Sequence, residues 1–336
     1  MPTKYEFIDV GGQEVRISNP DKVFFPEPGL TKMDLVQYYL AVGKGALRGC
    51  KDRPVVMYRW PNGVDKPEDA FYQKRVLDKG RPEWLETILV TFPSGRSAQM
   101  LAGTDLAHLI WAINMGCLDL NPWPVRRDDV DHPDELRVDL DPTPGIPWSD
   151  VLTTAGLVKE TLADHGLVGY PKTSGKRGLH IYIRVERNWS FTEVRRAALA
   201  LAREVERRGE GVATTSWWKE ERVGVFVDYN QNARDRTIAS AYSVRPMPDA
   251  RVSCPVAWDE IADLEPEAFT MKTVPARYEA GDPSATIDDV SFSLQPLLDL
   301  ARRDEEGGLG DAPWPPHFPK QKDEPARVQP SKRKKA

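Results

Sequence analysis

Residues 135–142 of the chain read ELRVDLDP, a short segment in which apolar and charged residues alternate. This alternation is typical of a β-strand, and Pro142 is expected to end it. Because residues two apart in a strand point to the same face of a sheet, Asp139 and Asp141 are predicted to project side by side. Two adjacent carboxylates repel each other unless a cation neutralises them, and oxygen ligands suit Mg²⁺ and Mn²⁺. Taken alone, the segment also fits surface acids or helix-capping acids.

A further carboxylate follows an apolar strand later in the chain. The segment VGVFVDY, residues 223–229, ends its apolar run at Asp228, where a buried carboxylate is costly without partners. Three carboxylates at the ends of two strands match the two-metal arrangement that is used for phosphoryl transfer. The sequence therefore predicts a catalytic centre in which Asp139, Asp141 and Asp228 hold two divalent cations, either Mn²⁺ or Mg²⁺.

A basic loop that contains glycines, KTSGKRGLH at residues 172–180, lies between these two strands in the sequence. Its glycines let backbone N–H groups approach phosphate oxygens, and its basic residues add positive charge. The GxxxxGK[ST] spacing of a Walker loop is absent. The loop is predicted to hold a triphosphate, against the alternative of an ordinary turn. Its polar candidates are Lys172, Ser174, Lys176, Arg177 and His180.

The composition indicates a globular protein. Of the 336 residues, 40% are hydrophobic and 29% are charged, and no stretch reaches the roughly 20 apolar residues that span a membrane. The first residues lack the apolar core of a secretory signal, so we expect a cytoplasmic protein. We also expect it to be a monomer and to associate with the nucleoid. Three cysteines without a CxxC pair argue against a disulfide framework and a structural zinc site. With a net charge of −5, any nucleic-acid contact must use local basic patches.

Strands and helices mix along the chain without strict βαβ alternation, so the sequence predicts an α+β fold of mixed strands and helices. Thr31 and Ser149 are predicted to cap helices. Residues 1–302 are predicted to form one catalytic domain. The composition of residues 303–336 is rich in Pro, Gly and charge, which predicts a mobile tail whose final SKRKKA is able to contact phosphates.

Together these segments resemble the archaeo-eukaryotic primase superfamily, which is recognised by a DxD strand, an SGxxGxH-like segment and a later strand that ends in Asp. The closer resemblance is to the polymerase domain of bacterial ligase D, a primase-polymerase of non-homologous end joining. It covers residues 15–285, with several motifs in the same order. These motifs are NPDKVFFP…GLTK, RWPNGV, FYQK, KTSGKRGLH, VFVDYNQN, TIASAYSVR and VSCPVAWDE.

The resemblance implies a primase-type fold of two packed subdomains, with an RRM-like catalytic sheet and a central cleft. It also implies that the three aspartates bind the metals, that a nucleoside triphosphate is the substrate, and that ribonucleotides and Mn²⁺ are favoured. The DNA would be a gap, a nick or an end with a 5′-phosphate, and a separate DNA ligase and an end-binding protein are candidate partners. The implied nucleotide contacts are Ser174, His180, Arg222 and Arg245, the implied 5′-phosphate contacts are Lys22 and Lys32, and the implied base-packing residues are Phe71 and Tyr72.

The chain departs from the ligase-D pattern at two places. Asn121 in LDLNPW stands where a histidine is usual, and asparagine can donate a hydrogen bond but cannot become a cation. In the basic loop Lys176 replaces a glycine, which leaves open whether Lys176 or Arg177 faces the phosphates. The sequence contains no nucleotidyl-lysine ligase motif and no nuclease segment, so a stand-alone polymerase is expected. Two other functions stay open: a metal-dependent nuclease or phosphodiesterase, and a non-catalytic factor that binds DNA ends.

Overall fold

The computed structural model describes residues 4–320, 324, 325 and 327, so the final SKRKKA lies outside the described residues. The strands are β1 (Tyr5–Val10), β2 (Gln13–Ser18), β3 (Val23–Phe25), β4 (Leu30–Thr31), β5 (Pro54–Arg59), β6 (Phe71–Gln73), β7 (Thr87–Thr91), β8 (Ser97–Ala102), β9 (Cys117–Pro122), β10 (Glu135–Pro142), β11 (Tyr170–Thr173), β12 (Leu179–Arg184), β13 (Ala213–Thr214) and β14 (Val225–Asp228). The helices are α1 (Lys32–Ala41), α2 (Gly43–Cys50), α3 (Leu106–Asn114), α4 (Trp148–Asp164), α5 (Phe191–Arg208), α6 (Val274–Ala280) and α7 (Gln295–Glu306). This mixture of strands and helices confirms the predicted α+β class. Among the described residues, no helix combines the length and the apolar character that crossing a bilayer requires.

The ELRVDLDP segment forms the middle strand of a five-stranded sheet, which we call the catalytic sheet. Its strand order is β11-β12-β10-β14-β13, and only the β13–β14 pair is parallel. Along the chain, β10, α4, β11, β12, α5 and β14 form a βαββαβ unit, and their order in the sheet is that of an RRM. The predicted RRM-like sheet is therefore confirmed.

Helices α4 and α5 cover one face of the catalytic sheet and leave the other face to the polar residues of β10. Leu136, Val138 and Leu140 alternate along β10 with charged residues, and all three are buried in one hydrophobic cluster with residues of both helices. Burial of these apolar side chains fixes which way the strand faces. The carboxylates of β10 consequently point away from the helices.

A second sheet lies across the cleft from the catalytic sheet. Its strand order is β6-β5-β8-β7, and β9 also pairs with β5. Residues 238–256 join it to the catalytic sheet. Ser240 N–H donates to Leu120 O on β9 at 2.8 Å, and Thr173 N–H on β11 donates to Cys254 O at 2.9 Å. Apolar residues of both sheets belong to one continuous core. The polar ends of β9 and β10 thus line a common cleft.

The two predicted helix caps had different outcomes. Thr31 caps α1 as predicted, because its hydroxyl accepts the Asp34 N–H and the Asp34 carboxylate accepts the Thr31 N–H in return. The prediction for Ser149 is wrong. The cap position lies two residues earlier, at Pro147, whose backbone is extended and which provides no side-chain cap, and helix α4 begins at Trp148.

The segment predicted as a tail from residue 303 begins inside helix α7, and several of its described residues pack against the rest of the chain. Helix α7 continues to Glu306, and Ala312 and Trp314 are buried at 8% and 4% exposure. The buried guanidinium of Arg195 on α5 holds this segment through its backbone carbonyls. Its Pro and Gly content suggested disorder, but a few apolar side chains and one arginine suffice to dock it.

Candidate active site

Four polar side chains lie in one row across the catalytic sheet. The strand register pairs Lys172 of β11 with His180 of β12, His180 with Asp139 of β10, and Asp139 with Asp228 of β14. Directly paired residues project to the same face of a sheet. The nitrogen-bearing side chains of Lys172 and His180 therefore lie next to two carboxylates, on the sheet face that the helices do not cover.

The carboxylates destabilise one another in the absence of a cation. Burial raises the pKa of Asp139 to about 8, and the charges of Asp228 and Asp141 act in the same direction. Burial also raises the pKa of Asp228. Asp141 lies two residues further along β10 and is exposed to the cleft. The three aspartates thus lie together in one cleft, and among the residues that the structure describes no lysine or arginine forms an ion pair with them.

The side chain of Gln231 lies between two of these carboxylates. Its Nε2 donates to Asp139 Oδ2 and Asp228 Oδ2, at 3.2 Å each. Within residues 4–320, 324, 325 and 327, no group of three His, Cys, Asp or Glu side chains is already arranged to hold a metal ion. Gln231 was missed from the sequence, although VFVDYNQN contains it, because its role depends on the turn after β14. The Gln231 amide thus joins the two carboxylates across the strand pair.

His180 and Lys172 form the nitrogen end of the row. Lys172 Nζ lies 2.6 Å from His180 Nδ1 and also donates to Ala239 O and Ser253 Oγ, at 2.8 and 2.5 Å. Burial lowers the pKa of both groups, and in His180 the charge of Lys172 adds to the effect. The other ring nitrogen of His180, Nε2, faces Asp139 Oδ1 at 3.5 Å. This arrangement presents a fixed imidazole to the cleft beside Asp139.

The basic loop folds around Ser174. Its hydroxyl oxygen accepts the N–H groups of Lys176 and Gly178, at 3.1 and 3.0 Å. Gly178 lies against β10, where a methyl group would overlap the Leu140 carbonyl oxygen between the two aspartates of that strand. The Lys176 side chain is exposed overall but partly shielded from solvent by the cleft. This shielding and the charge of Arg245 lower its pKa, whereas the charges of Asp119 and Asp141 act in the opposite direction. The loop therefore adjoins the carboxylates, and the charge of Lys176 acts within the cleft.

The opposite wall of the cleft is formed by β9 and the segment that follows residue 238. Arg245 Nη1 lies 2.5 Å from Asp119 Oδ2. Asn121 Nδ2 donates to two oxygens of the same aspartate, its backbone carbonyl O and its Oδ1, at 3.0 Å each. Asp119 is buried and was also missed, because LDLNPW alone does not say which arginine it meets. The pair orients the Arg245 guanidinium beside the basic loop, where Gly175 packs on it.

Arg222 lies beside the carboxylates on the β14 side. Its guanidinium carbon lies 3.5 Å from the centre of the Phe226 ring, and it donates to Ser216 O at 2.9 Å and Trp217 O at 3.1 Å. Burial lowers its pKa, whereas the charge of Asp228 raises it. Arg222 thus supplies a positive charge close to Asp228 without an ion pair to it.

The aromatic pair of FYQK lies at the edge of the second sheet. Phe71 and Tyr72 are exposed at 43% and 59%. Tyr72 stacks on Tyr58 with ring centres 4.2 Å apart and ring planes at 7°, and Arg59 lies over Phe71 at 5.1 Å. These rings are therefore surface groups held in a fixed orientation rather than core residues.

The two candidate phosphate lysines are neighbours, but their surroundings differ. Lys32 N–H donates to Lys22 O at 2.8 Å, which brings the two residues together. Lys22 is half-buried and donates to Pro61 O and Asn62 Oδ1, at 2.8 and 2.6 Å. Lys32 is 6% exposed, and its Nζ donates to Ser18 O at 2.6 Å and Asn114 O at 3.0 Å. Burial lowers the pKa of Lys32 to about 8, and the charge of Lys22 contributes.

The geometry agrees with what comparison with known proteins shows. A family model described as the LigD primase-polymerase domain matches residues 31–284. The chain belongs to the LigD primase-polymerase family. The match lies within the range that the sequence motifs predicted, and it contains both sheets of the cleft.

Several multifunctional LigD proteins are similar over most of this chain. The chain is 32% identical over 312 residues to the multifunctional non-homologous end joining protein LigD of Mycolicibacterium smegmatis, which covers 92% of this chain and 40% of that protein. It is 30% identical to the protein of the same name from Pseudomonas aeruginosa, covering 80% of this chain and 32% of the relative. The LigD primase-polymerase region therefore accounts for well under half of these relatives.

A solved structure supports the same assignment. The polymerase domain of Mycobacterium tuberculosis ligase D, solved in complex with DNA, matches with a TM-score of 0.76 and 30% sequence identity over 82% of this chain and 99% of that one. The predicted archaeo-eukaryotic primase-type fold is confirmed by this match. As a member of the LigD primase-polymerase family, the chain is a nucleotidyltransferase of the polymerase and primase-polymerase class.

Proposed function

We propose that the chain extends a DNA primer, or fills a short gap, by transferring nucleotides from nucleoside triphosphates with the help of two divalent cations. The observation that carries the proposal is the direct cross-strand pairing of Asp139 with Asp228, with Asp141 two residues away on the same face. Divalent cations are the groups that such a buried, mutually repelling carboxylate cluster would favour. Asp139, Asp141 and Asp228 would together hold the two cations.

The donor set fits Mn²⁺ or Mg²⁺, since both prefer oxygen ligands and the three carboxylates supply them on adjacent strands. When bound, the cations would lower the pKa of the primer 3′-hydroxyl and hold the triphosphate and the leaving oxygen. The protein itself orients the reactants, because the cross-strand register fixes the positions of the aspartates.

The basic side of the cleft would hold the triphosphate and the departing pyrophosphate. The Ser174 side chain, the His180 Nε2 edge and the positive charges would lie around the triphosphate, and fixed groups of this kind stabilise the charge that develops during phosphoryl transfer. Asn121 and Arg245, which share Asp119, would orient the sugar or phosphates from the opposite wall. The proposed nucleotide contacts are Ser174, Lys176, Arg177, His180, Arg222, Arg245 and Asn121, with Phe71 and Tyr72 packing on a base of the nucleotide or template.

We propose that Lys22 contacts the downstream 5′-phosphate of a gap, and that the buried Lys32 next to it adds positive charge to the site. Lys22 Nζ currently donates to one backbone carbonyl and one amide oxygen, which a phosphate dianion can replace with a charge-assisted hydrogen bond. Because three protein oxygens already hold the Lys32 ammonium group, Lys32 would attract the phosphate electrostatically without contacting it.

Replacement of Lys22 by alanine is expected to reduce the preference for 5′-phosphorylated over 5′-hydroxyl gaps by about tenfold, since one charge-assisted contact contributes roughly 1.5 kcal/mol. Gap binding should be measured by fluorescence anisotropy with both DNAs. Lys159→Ala provides the matched control, because Lys159 is an exposed lysine on α4, behind the catalytic sheet. An unchanged phosphate preference in Lys22→Ala would remove Lys22 from the site.

The names of the relatives support a proposal about the repair pathway. Their names place them in non-homologous end joining, and the matched solved domain carries DNA. We infer that the chain works at broken or gapped DNA in repair, with a DNA ligase and an end-binding protein as candidate partners, and with ribonucleotides and Mn²⁺ favoured. Incorporation on a gapped duplex, comparing ribo- with deoxynucleotides and Mg²⁺ with Mn²⁺, tests these assignments together.

A further inference from the structure

Residues 311–314, which we call the C-terminal strap, pack against α5 close to the end of β14. The strap lies outside the residues that the family model matches, which end at residue 284. Its anchor is Trp314, which is buried and whose indole N–H donates to Asp311 Oδ2 at 2.7 Å. The strap is therefore ordered and contacts the catalytic half of the molecule.

The strap surrounds the guanidinium of Arg195, a residue of α5 that is 1% exposed. Arg195 Nη1 donates to Asp311 Oδ1 at 2.8 Å, and its Nη2 donates to two strap carbonyls, of Ala312 and Pro313, at 2.9 and 3.1 Å. A buried guanidinium is costly unless its charge and its N–H groups are matched. The strap supplies most of that compensation, so the position of Arg195 depends on it.

The remaining side of Arg195 faces Asn230, in the turn that follows β14. Arg195 Nε donates to Asn230 Oδ1 at 2.7 Å, and Asn230 Nδ2 donates to Pro313 O at 3.3 Å. The backbone N–H of Asn230 in turn donates to Asp228 Oδ1 at 2.8 Å. One chain of hydrogen bonds thus runs from the strap, through Arg195 and Asn230, to a carboxylate of the candidate metal site.

We propose that the C-terminal strap is a positioning element for Asp228, acting through Arg195 and Asn230. With Oδ1 held by the Asn230 N–H, the other oxygen of Asp228, Oδ2, points at Gln231 and Asp139. Outer partners of this kind fix the orientation of a metal-binding carboxylate. The inference rests on the proposed metal-binding role of the three aspartates, and it assigns a function to a segment beyond the matched family region.

The test is the affinity for Mn²⁺, measured by electron paramagnetic resonance of the free ion in titrations of the whole protein. Asp311→Ala is expected to weaken Mn²⁺ binding several-fold, somewhat less than the roughly tenfold typical of losing a direct outer-shell partner, because Asp311 acts on Asp228 through Arg195 and Asn230. The Mn²⁺ concentration that gives half-maximal primer extension should rise in parallel. The control is Arg196→Gln on the same helix, which removes a two-bond ion pair to Glu305 of α7 but no contact to Asn230. Arg196→Gln should change the melting temperature by about as much as Asp311→Ala does, but it should keep the wild-type affinity for Mn²⁺.

A double-mutant cycle separates positioning from general stability. Asn230→Ala alone should weaken Mn²⁺ binding at least as much as Asp311→Ala, and the double variant should be no weaker than Asn230→Ala, because both act on one path. Additive losses, or an unchanged affinity in folded Asp311→Ala, would overturn the inference. If Asp311→Ala does not fold, Asp311→Asn decides, since loss of the charge alone should weaken binding by about threefold.

The failure of this inference can be distinguished from failure of the proposed function. Asp228→Asn is measured in the same titration. If Asp228→Asn binds Mn²⁺ as well as the wild type does, the proposed metal site is wrong. If Asp228→Asn loses affinity while Asp311→Ala and Asp311→Asn retain it, the metal site stands and the strap has no part in it.

Discussion

Replacement of Asp139 by asparagine is expected to abolish primer extension, with a loss of about 1,000-fold or more. Asp139 lies between the other two carboxylates, so both proposed cations depend on it, and each supplies several kcal/mol of transition-state stabilisation. The measurement is extension of a labelled primer on a gapped duplex at saturating Mn²⁺. Asp139→Asn should nevertheless fold normally, because it replaces a buried carboxyl group, whose charged form the neighbouring carboxylates disfavour, with a neutral amide of similar size.

The control is Glu160→Gln on α4, an exposed carboxylate on the far side of the catalytic sheet, which should keep full activity. Circular dichroism and thermal unfolding establish that both variants are folded. Wild-type extension by a folded Asp139→Asn protein would contradict the two-cation proposal. Shortening of the primer by the wild type without added nucleoside triphosphate would instead favour the nuclease alternative, and gap binding without incorporation would favour a non-catalytic end-binding factor.

Gly178→Ala is expected to reduce activity by about 100-fold or more, even though the residue carries no functional group. A β-carbon at this position would overlap the carbonyl oxygen of Leu140, so the basic loop must move away from β10. A displacement of about 1 Å in a positioning element can cost roughly 100-fold in rate. Because the moved loop carries proposed triphosphate contacts, the KM for the nucleotide should rise while kcat falls.

Gly156→Ala is the matched control for Gly178→Ala. Gly156 lies in the interior of α4, and an added β-carbon would meet no atom within 4 Å. The exchange should stabilise the protein by about 0.5–1 kcal/mol, because alanine favours a helix over glycine, and should leave activity unchanged. Steady-state kinetics and thermal unfolding of both variants give the comparison. Normal kinetics in Gly178→Ala would show that the loop has no part in catalysis.

Local sequence patterns predicted those parts of the fold that depend on near neighbours. The alternation in ELRVDLDP predicted the strand, and Thr31 followed by Asp34 gave the expected cap, since both depend on a few adjacent residues. The same local logic was wrong for Ser149, where Pro147 takes the cap position, and it did not foresee that Trp314 is buried beside α5. In both cases a competing contact decided the outcome, and composition did not show it.

The sequence by itself determined the family, the class of fold and the strand that carries Asp139 and Asp141, because ordered motifs and residue periodicity are written along the chain. Only the tertiary structure decided that Asp228 lies opposite Asp139, that Gln231 joins them, and that Arg195 ties the C-terminal strap to the turn beside Asp228. These relations depend on cross-strand register and on burial. Both are set by the packing of distant segments into one core, and no local pattern in the chain specifies them.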